Sequence, residues 1–307
     1  MSREPLPTAP DAPEGGDRPL RAFSVLRDYW ALTKPEVNFL ILITTFAGFY
    51  LGCANEGQQL SLLAAFNTLL GTLLVASGTA TLNQFIERKF DAQMRRTARR
   101  PAAAGRLEPP AVLAFGVLLS AVGCTYLALG VNVLASLLAL LTLVSYLFLY
   151  TPLKRRTFLC VLVGAFPGAM PPLIGWAAAS GSLSVGAWLL YAILFLWQFP
   201  HFMAIAWMYR EDYDRAGYHM LPKGSARVFI LIVQAIVPVL ALVPISLLQP
   251  PLHHAMIFYS AGLLLDLGFF YFGLQFGLQR SRGAARRLLA TSIAYLPLLF
   301  MMRIILR

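Results

Sequence analysis

An amide and two carboxylates recur at four-residue spacing in the stretch LNQFIERKFDAQMRRTARRP, residues 82–101. Asn83, Glu87 and Asp91 would lie on one face of a helix, because each four-residue step adds only about 40° to a full turn. Carboxylate and amide oxygens are ligands that Mg²⁺ prefers, together with water and substrate phosphate oxygens. Two carboxylates one turn apart also repel each other unless a cation neutralises them. The spacing therefore predicts a Mg²⁺ site at Asn83, Glu87 and Asp91.

Basic residues follow the acids, and arginine is the side chain that binds phosphate oxygens as a forked donor. A further basic element, YTPLKRRT, lies at residues 150–157. The competing interpretation of these charges is a solvated helix end, or loops whose charge only sets membrane topology. The candidate diphosphate ligands are Arg95, Arg96, Arg99, Lys154 and Arg155.

A second acidic stretch, YREDYDRAGYHMLPKG, occupies residues 209–224. Glu211, Asp212 and Asp214 are too closely spaced to share one helical face. We therefore select Asp212 as a fourth metal ligand and as a catalytic residue alongside the three in the first stretch. Two carboxylate clusters in a mostly neutral chain suggest a pair of metal ions that clamp a diphosphate.

Two ionisable residues fall inside apolar segments, where such residues are costly and are functional candidates by default. His201 lies in WQFPHFMAIAW, and Asp266 is more isolated. The competing interpretation of each is a hydrogen-bonded core residue. GAFPGAMPPLIGW, residues 164–176, also places three prolines in one apolar segment, which indicates a helix that lines a cavity buried in protein.

The elements that carry these residues are apolar runs long enough to cross a bilayer. Of the 307 residues, 58% are hydrophobic and only 13% are charged, which excludes an ordinary soluble domain. We predict an all-α integral membrane protein with nine transmembrane helices. The predicted spans are residues 35–53, 61–84, 109–128, 131–150, 158–178, 184–208, 227–247, 255–278 and 285–305.

The net charge of +11 follows from membrane topology and does not indicate nucleic acid. All lysines and arginines except Arg303 and Arg307 fall in the N-terminal segment or in loops after even-numbered spans. The positive-inside rule therefore places the N-terminus in the cytoplasm and the C-terminus on the opposite side. Residues 1–34, rich in proline, glycine and charge, are expected to form a disordered cytoplasmic tail before a domain at residues 35–307.

These motifs resemble the UbiA-type intramembrane prenyltransferases and, within them, the protohaem IX farnesyltransferases. The resemblance covers about residues 32–300 and is most specific in the M-x-R-T-x-x-R-P and DY-x-x-AG-x-x-MLP runs. It implies nine helices around a central cavity and transfer of farnesyl from farnesyl diphosphate to a vinyl group of protohaem IX (haem B), with Mg²⁺ as cofactor. The product would be haem O, for haem A and O biosynthesis and the terminal oxidases.

By position in the family pattern, Asn83, Glu87 and Asp91 match the first metal motif and Asp212 the second. Lys154 and Arg155 match a basic loop that contacts diphosphate. His201 matches a histidine of the haem-specific branch, which makes it the expected haem-binding residue. The resemblance also implies a bacterial inner membrane, contact with membrane lipid, and association with haem A synthase or oxidase assembly factors. Three positions depart from the pattern: Glu87 where aspartate is commoner, Cys160 for asparagine, and His219 for proline.

Two alternatives stay open. One is a prenyltransferase of the same family whose acceptor is an aromatic quinone precursor. The other is a transporter, which would place ionisable groups near the bilayer midplane. Here the acids cluster at one membrane face, which favours an enzyme.

Overall fold

Nine long apolar helices dominate the computed structural model, which describes residues 18–221, 226–248 and 254–306. Over these residues the nine predicted spans and the all-α fold class are confirmed. In chain order the helices are α1 (Arg18–Leu32), α2 (Pro35–Asn55), α3 (Leu62–Asp91), α4 (Pro109–Gly130), α5 (Val133–Val144), α6 (Thr151–Leu153), α7 (Cys160–Gly168), α8 (Pro171–Ser180), α9 (Val185–Met208), α10 (Arg210–Arg215), α11 (Ala226–Leu247), α12 (Ala255–Gln279) and α13 (Arg282–Ile305).

The second spanning helix, α3, continues past its predicted end at residue 84 and stops only at Asp91. Its last turns are polar, yet Asn83, Glu87 and Asp91 are all buried. The sequence prediction ended the span where hydropathy falls. The helix continues because its polar end packs inside the protein, where ion pairs replace the solvent.

Two spans are interrupted on the side of the molecule that faces α3. The fourth span, Val133–Leu153, passes from α5 through a π-helical segment, Ser145–Tyr150, into α6. The fifth span consists of α7 and α8, which meet at the proline-rich sequence after Gly168. Proline at the start of α8 is tolerated because the first amide groups of a helix have no intrahelical partner. Local π-helical turns and proline breaks occur frequently at functional sites.

Helices α2 and α8 pack at unusually short range. A Cβ atom on Gly175 would collide with the backbone carbonyl of Thr45, and one on Gly48 would collide with that of Pro172. Small residues permit such contact between membrane helices, where close packing replaces the hydrophobic driving force. This contact fixes the first span against the broken fifth span, and both contribute walls to the cavities described below.

Part of the segment predicted to be a disordered tail is ordered. Leu32 at the end of α1 is fully buried against a cluster that includes Leu107 and Val112. Asp28 accepts two hydrogen bonds from the guanidinium of Arg106, at 2.8 and 2.9 Å. The prediction treated residues 1–34 as one unit and overlooked the apolar residues after Arg18. Residues 1–17 lie outside the described part of the chain.

Candidate active site

A polar cavity of about 250 Å³, here called the polar chamber, lies where the end of α3 meets the start of α2 and the π-helical segment. Its described lining combines two carboxylate side chains, four basic side chains and the asparagine of the first motif. The charged and amide residues are Lys34, Asn83, Glu87, Asp91, Arg96, Arg100 and Lys154. The structure therefore brings together the three residues that the four-residue spacing predicted to share one face.

Each carboxylate of the chamber is paired with a cation. Lys154 Nζ lies 2.9 Å from Glu87 Oε1, and Arg100 Nη1 lies 2.8 Å from Asp91 Oδ2. Tyr218 also donates its hydroxyl proton to Glu87 Oε1, at 2.9 Å. Because buried charges are costly without partners, these pairs allow α3 to keep two acids in the interior.

Lys34 joins the same chamber from the start of α2. Its Nζ donates to Asn83 Oδ1 at 3.3 Å, and Asn83 Nδ2 in turn donates to Thr151 Oγ1 at 3.2 Å. The backbone of Lys34 has φ 51°, a left-handed conformation that is uncommon for residues with a side chain. Burial, together with the positive charges of Arg100 and Lys154, lowers the pKa of Lys34 to about 7.

The charge of Glu87 raises the pKa of the two other groups that bond to its carboxylate, Lys154 and Tyr218. Burial alone would lower the pKa of Lys154. The charge and hydrogen bond of Glu87, together with the neighbouring Tyr150 and Tyr146, outweigh burial and hold that pKa well above its ordinary value. Burial raises the pKa of Tyr218, and the neighbouring carboxylate raises it further. Lys154 is thus held charged and Tyr218 is held as a neutral hydrogen-bond donor.

The predicted diphosphate ligands are distributed unequally. Arg96 and Lys154 line the polar chamber, whereas Arg95 lies in an adjacent groove. Arg99 is exposed and does not line the chamber. Arg155 stacks its guanidinium over Phe90, 4.1 Å from the ring centre, and lines a cavity that opens beside Glu87.

Asp212 lies in that adjacent groove, here called the outer groove, with Arg95 and Arg96. It is buried, whereas the neighbouring Glu211 side chain is 79% exposed. Its Oδ2 accepts a hydrogen bond from the backbone amide of Arg96 at 3.3 Å, and its Oδ1 is 3.2 Å from Arg215. Arg96 is therefore the residue that links Asp212 to the polar chamber.

A second cavity, of about 320 Å³ and here called the apolar cavity, lies between α2, α9 and α13. Val37, Phe202 and Ile205 line both this cavity and the polar chamber, so the two spaces adjoin. Leu40 and Ile293 in its wall are 40% and 45% exposed. The structure places His201 in its wall.

The sequence model of the UbiA prenyltransferase family matches residues 41–301. The chain belongs to this family. It is 49% identical to a protein named protoheme IX farnesyltransferase from Solibacter usitatus, over 90% of this chain and 97% of the relative. A protein of the same name from Koribacter versatilis is 43% identical, with 90% and 92% of the two chains covered.

The fold of the family is also found in solved structures. A UbiA homologue from Archaeoglobus fulgidus, bound to GPP and Mg²⁺, superposes with a TM-score of 0.63 over 88% of this chain and 99% of its own. An apo UbiA homologue from Aeropyrum pernix gives a TM-score of 0.66 over 85% and 97% of the two chains. At 14% and 20% sequence identity these structures support the shared fold.

The donor set of the polar chamber fits a hard divalent cation. Asn83, Glu87 and Asp91 offer oxygen atoms on one helix face, as Mg²⁺ requires. Among the described residues the recorded hydrogen bonds engage one oxygen of each carboxylate, Glu87 Oε1 and Asp91 Oδ2. Over the same residues, no three acidic, histidine or cysteine side chains already converge as a closed metal cage. The set therefore suits a cation that completes its coordination with water and substrate oxygens.

Lys34 is a chamber residue that the sequence did not identify as a candidate ligand, whereas Arg100 belongs to the run of arginines after Asp91 that suits phosphate. The position of Lys34 directly before Pro35, at the start of an apolar helix, is the signal that could have identified it. Asp266 and the departures from the family pattern have local explanations. Asp266 accepts hydrogen bonds from Ser246 and Tyr295. Cys160, one of the departures, is fully buried, and its Sγ lies 3.8 Å from Met220 Sδ. His219, another departure, donates its backbone amide to the carbonyl oxygen of Lys154.

Proposed function

We propose that this membrane enzyme transfers the farnesyl group of farnesyl diphosphate to a vinyl group of protohaem IX, which gives haem O. The observation that carries the proposal is the junction of the two cavities at Val37, Phe202 and Ile205. The charged chamber suits a diphosphate, and the adjoining cavity offers apolar walls to the lipophilic parts of the substrates. The names of the relatives from Solibacter and Koribacter support haem as the acceptor.

The first role of the chamber is to ionise the allylic diphosphate. As the carbon–oxygen bond breaks, its electron pair passes to the leaving diphosphate, whose growing charge must be stabilised. Arg96, Arg100 and Lys154 would present three cations to this leaving group, and Lys34 would add a fourth when it is protonated. Mg²⁺ held by Asn83, Glu87 and Asp91 would neutralise further charge on the phosphate oxygens.

Binding requires the charged groups to change partners. In the present arrangement Lys154 and Arg100 neutralise Glu87 and Asp91. With substrate bound, we expect the carboxylates to face the metal ion and the two released cations to face phosphate oxygens. Both buried carboxylates would thus keep a cationic partner before and after binding, which avoids the cost of an unpaired buried carboxylate.

The second role is to protect the allylic cation that remains. Tyr146, Tyr150 and Tyr213 line the chamber, and Phe202 lies at its junction with the apolar cavity. Aromatic faces attract cations, and apolar walls exclude the water that would quench one. The farnesyl C1 atom then bonds to the terminal vinyl carbon, water adds to the inner carbon, and that water loses one proton. Together these steps convert the vinyl group into the hydroxyethylfarnesyl group.

The proposal also assigns roles to Asp212 and to the outer arginines, and it includes the membrane location and the protein partners. Asp212, buried beside Arg96, would hold a second metal ion at the rim of the chamber. Arg95, Arg99 and Arg155 would attract the diphosphate as it enters. We also propose a bacterial inner membrane, a cytoplasmic N-terminus and a C-terminus on the opposite side. Association with haem A synthase or oxidase assembly factors would pass on the product.

The test incubates purified protein with farnesyl diphosphate, Mg²⁺ and haem B, followed by liquid chromatography and mass spectrometry. We expect a product heavier than haem B by one farnesyl group and one hydroxyl group. A parallel reaction replaces haem with an aromatic quinone-precursor acid. Prenylation of that acid, with haem left unchanged, would overturn the proposal in favour of the other acceptor.

A further inference from the structure

Ser292 of α13 holds two aromatic side chains of α9 in the wall of the apolar cavity. Its backbone carbonyl accepts a hydrogen bond from Trp197 Nε1 at 2.7 Å, and its Oγ lies 2.8 Å from His201 Nδ1. The two rings stack with their centres 4.6 Å apart and an interplanar angle of 26°. Ser292 itself is fully buried. The orientation of His201 is therefore fixed by a partner distant in sequence.

The hydroxyl of Ser292 also determines which imidazole nitrogen carries the proton. Ser292 Oγ lies 2.7 Å from the carbonyl oxygen of Leu289, so its single proton must lie between these two oxygens. Without that proton, two oxygen lone pairs would face each other at hydrogen-bond distance. The Oγ atom must then accept from His201, which places the imidazole proton on Nδ1.

This tautomer leaves Nε2 of His201 with a free lone pair. Among the described residues Nε2 has no recorded hydrogen-bond partner, and the side chain lines the apolar cavity. An N–H group facing those apolar walls would cost free energy, whereas an unprotonated nitrogen is ready to bind a metal. A second partner that fixes the other nitrogen is the usual arrangement for a histidine that ligates a metal.

We infer that Nε2 of His201 binds the haem iron as an axial ligand, with Ser292 as the positioning residue that fixes its tautomer. This inference rests on the proposed function, in which haem is the acceptor substrate. Trp197 supports the imidazole plane from one side. The position beside Phe202, at the junction of the two cavities, would hold the porphyrin edge near the farnesyl group.

The experiment compares binding of haem B with binding of metal-free protoporphyrin IX to the full-length protein in detergent. Iron ligation predicts that Ser292→Ala weakens haem binding by about 10- to 100-fold, the range typical when a ligand's second partner is lost, and that His201→Ala weakens it at least as much. Metal-free protoporphyrin should bind both variants as it binds the wild type. The wild-type haem spectrum should show a nitrogen ligand that the His201 variant lacks, and added imidazole should restore it.

Thr291→Ala is the matched control, because Thr291 donates the same kind of hydroxyl bond, to the Arg287 carbonyl at 2.9 Å, on the exposed side of α13. It should bind haem normally. Equal loss of both porphyrins in the Ser292 variant, or an unchanged iron spectrum in the His201 variant, would overturn the inference. If either of these results is found while the wild type still makes farnesylated haem, the proposed function remains intact and only the ligation inference fails. A wild type with the nitrogen ligand but no transfer would instead refute the proposed function alone.

Discussion

Replacing Asp91 with asparagine removes one negative charge from the polar chamber with almost no change in side-chain size. Asp91 is 1% exposed and is one of two carboxylates that face four cations there. In the proposed mechanism its loss would weaken metal binding at the point where the diphosphate gains charge. We expect the turnover number to fall at least about a hundredfold, equivalent to about 2.7 kcal/mol of transition-state stabilisation.

The effect on stability should be much smaller. Arg100 would lose its carboxylate partner, but its side chain is 24% exposed and can turn toward solvent. The asparagine oxygen also remains available as an acceptor. We expect a stability loss of about 1 kcal/mol or less, as for other partly exposed ion pairs.

The assay measures initial rates of haem farnesylation at saturating substrates over a range of Mg²⁺ concentrations. Asp28→Asn is the matched control, because Asp28 is also buried and paired with an arginine, Arg106, but does not line the polar chamber. This control should keep near-normal turnover. Near-normal turnover of the Asp91 variant at saturating Mg²⁺, or an equal loss in the control, would refute the argument that Asp91 acts on the leaving group.

Three further predictions follow from the same geometry. Asp212→Asn should also lose at least about a hundredfold in turnover, whereas Glu211→Gln should stay near the wild type because Glu211 is exposed; equal rates would contradict a metal at Asp212. Exhaustive chelation should abolish transfer and Mg²⁺ or Mn²⁺ should restore it, so full activity after chelation would disprove a dissociable metal. In a background without native cysteines, Gln93→Cys should react with impermeant reagent from the cytoplasmic side and Gln58→Cys from the other; labelling from one side would break the predicted topology.

Local spacing predicted the part of the site that a single helix carries. Asn83, Glu87 and Asp91 share a face because helical geometry alone decides it, and the structure shows them on one chamber wall. The nine spans were predictable for a similar reason, since hydropathy is a property of consecutive residues. Hydropathy ended the second span at residue 84, whereas the shared face of Asn83, Glu87 and Asp91 required a helix that continues to Asp91, as the structure shows.

The spacing argument fails once the helix ends. After Asp91 the chain runs through turns to residue 106, so the order of the arginines no longer determines their direction. Arg96 and Arg100 therefore reach the chamber, while Arg95 lies in the outer groove. Lys34 and Ser292 reach their partners across 49 and 91 residues, and no local pattern connects such distant positions.

The pairing inside the chamber explains how one protein can hold this charge set without substrate. Two bare carboxylates on adjacent turns of α3 would repel each other, and four bare cations around them would do the same. Lys154 and Arg100 reduce both costs by lying against Glu87 and Asp91. The ion pairs that stabilise the chamber therefore use the same groups that the proposed metal–diphosphate complex needs. Because binding replaces one set of partners with another, the chamber can be fully charged, stable and ready to react before the substrate arrives.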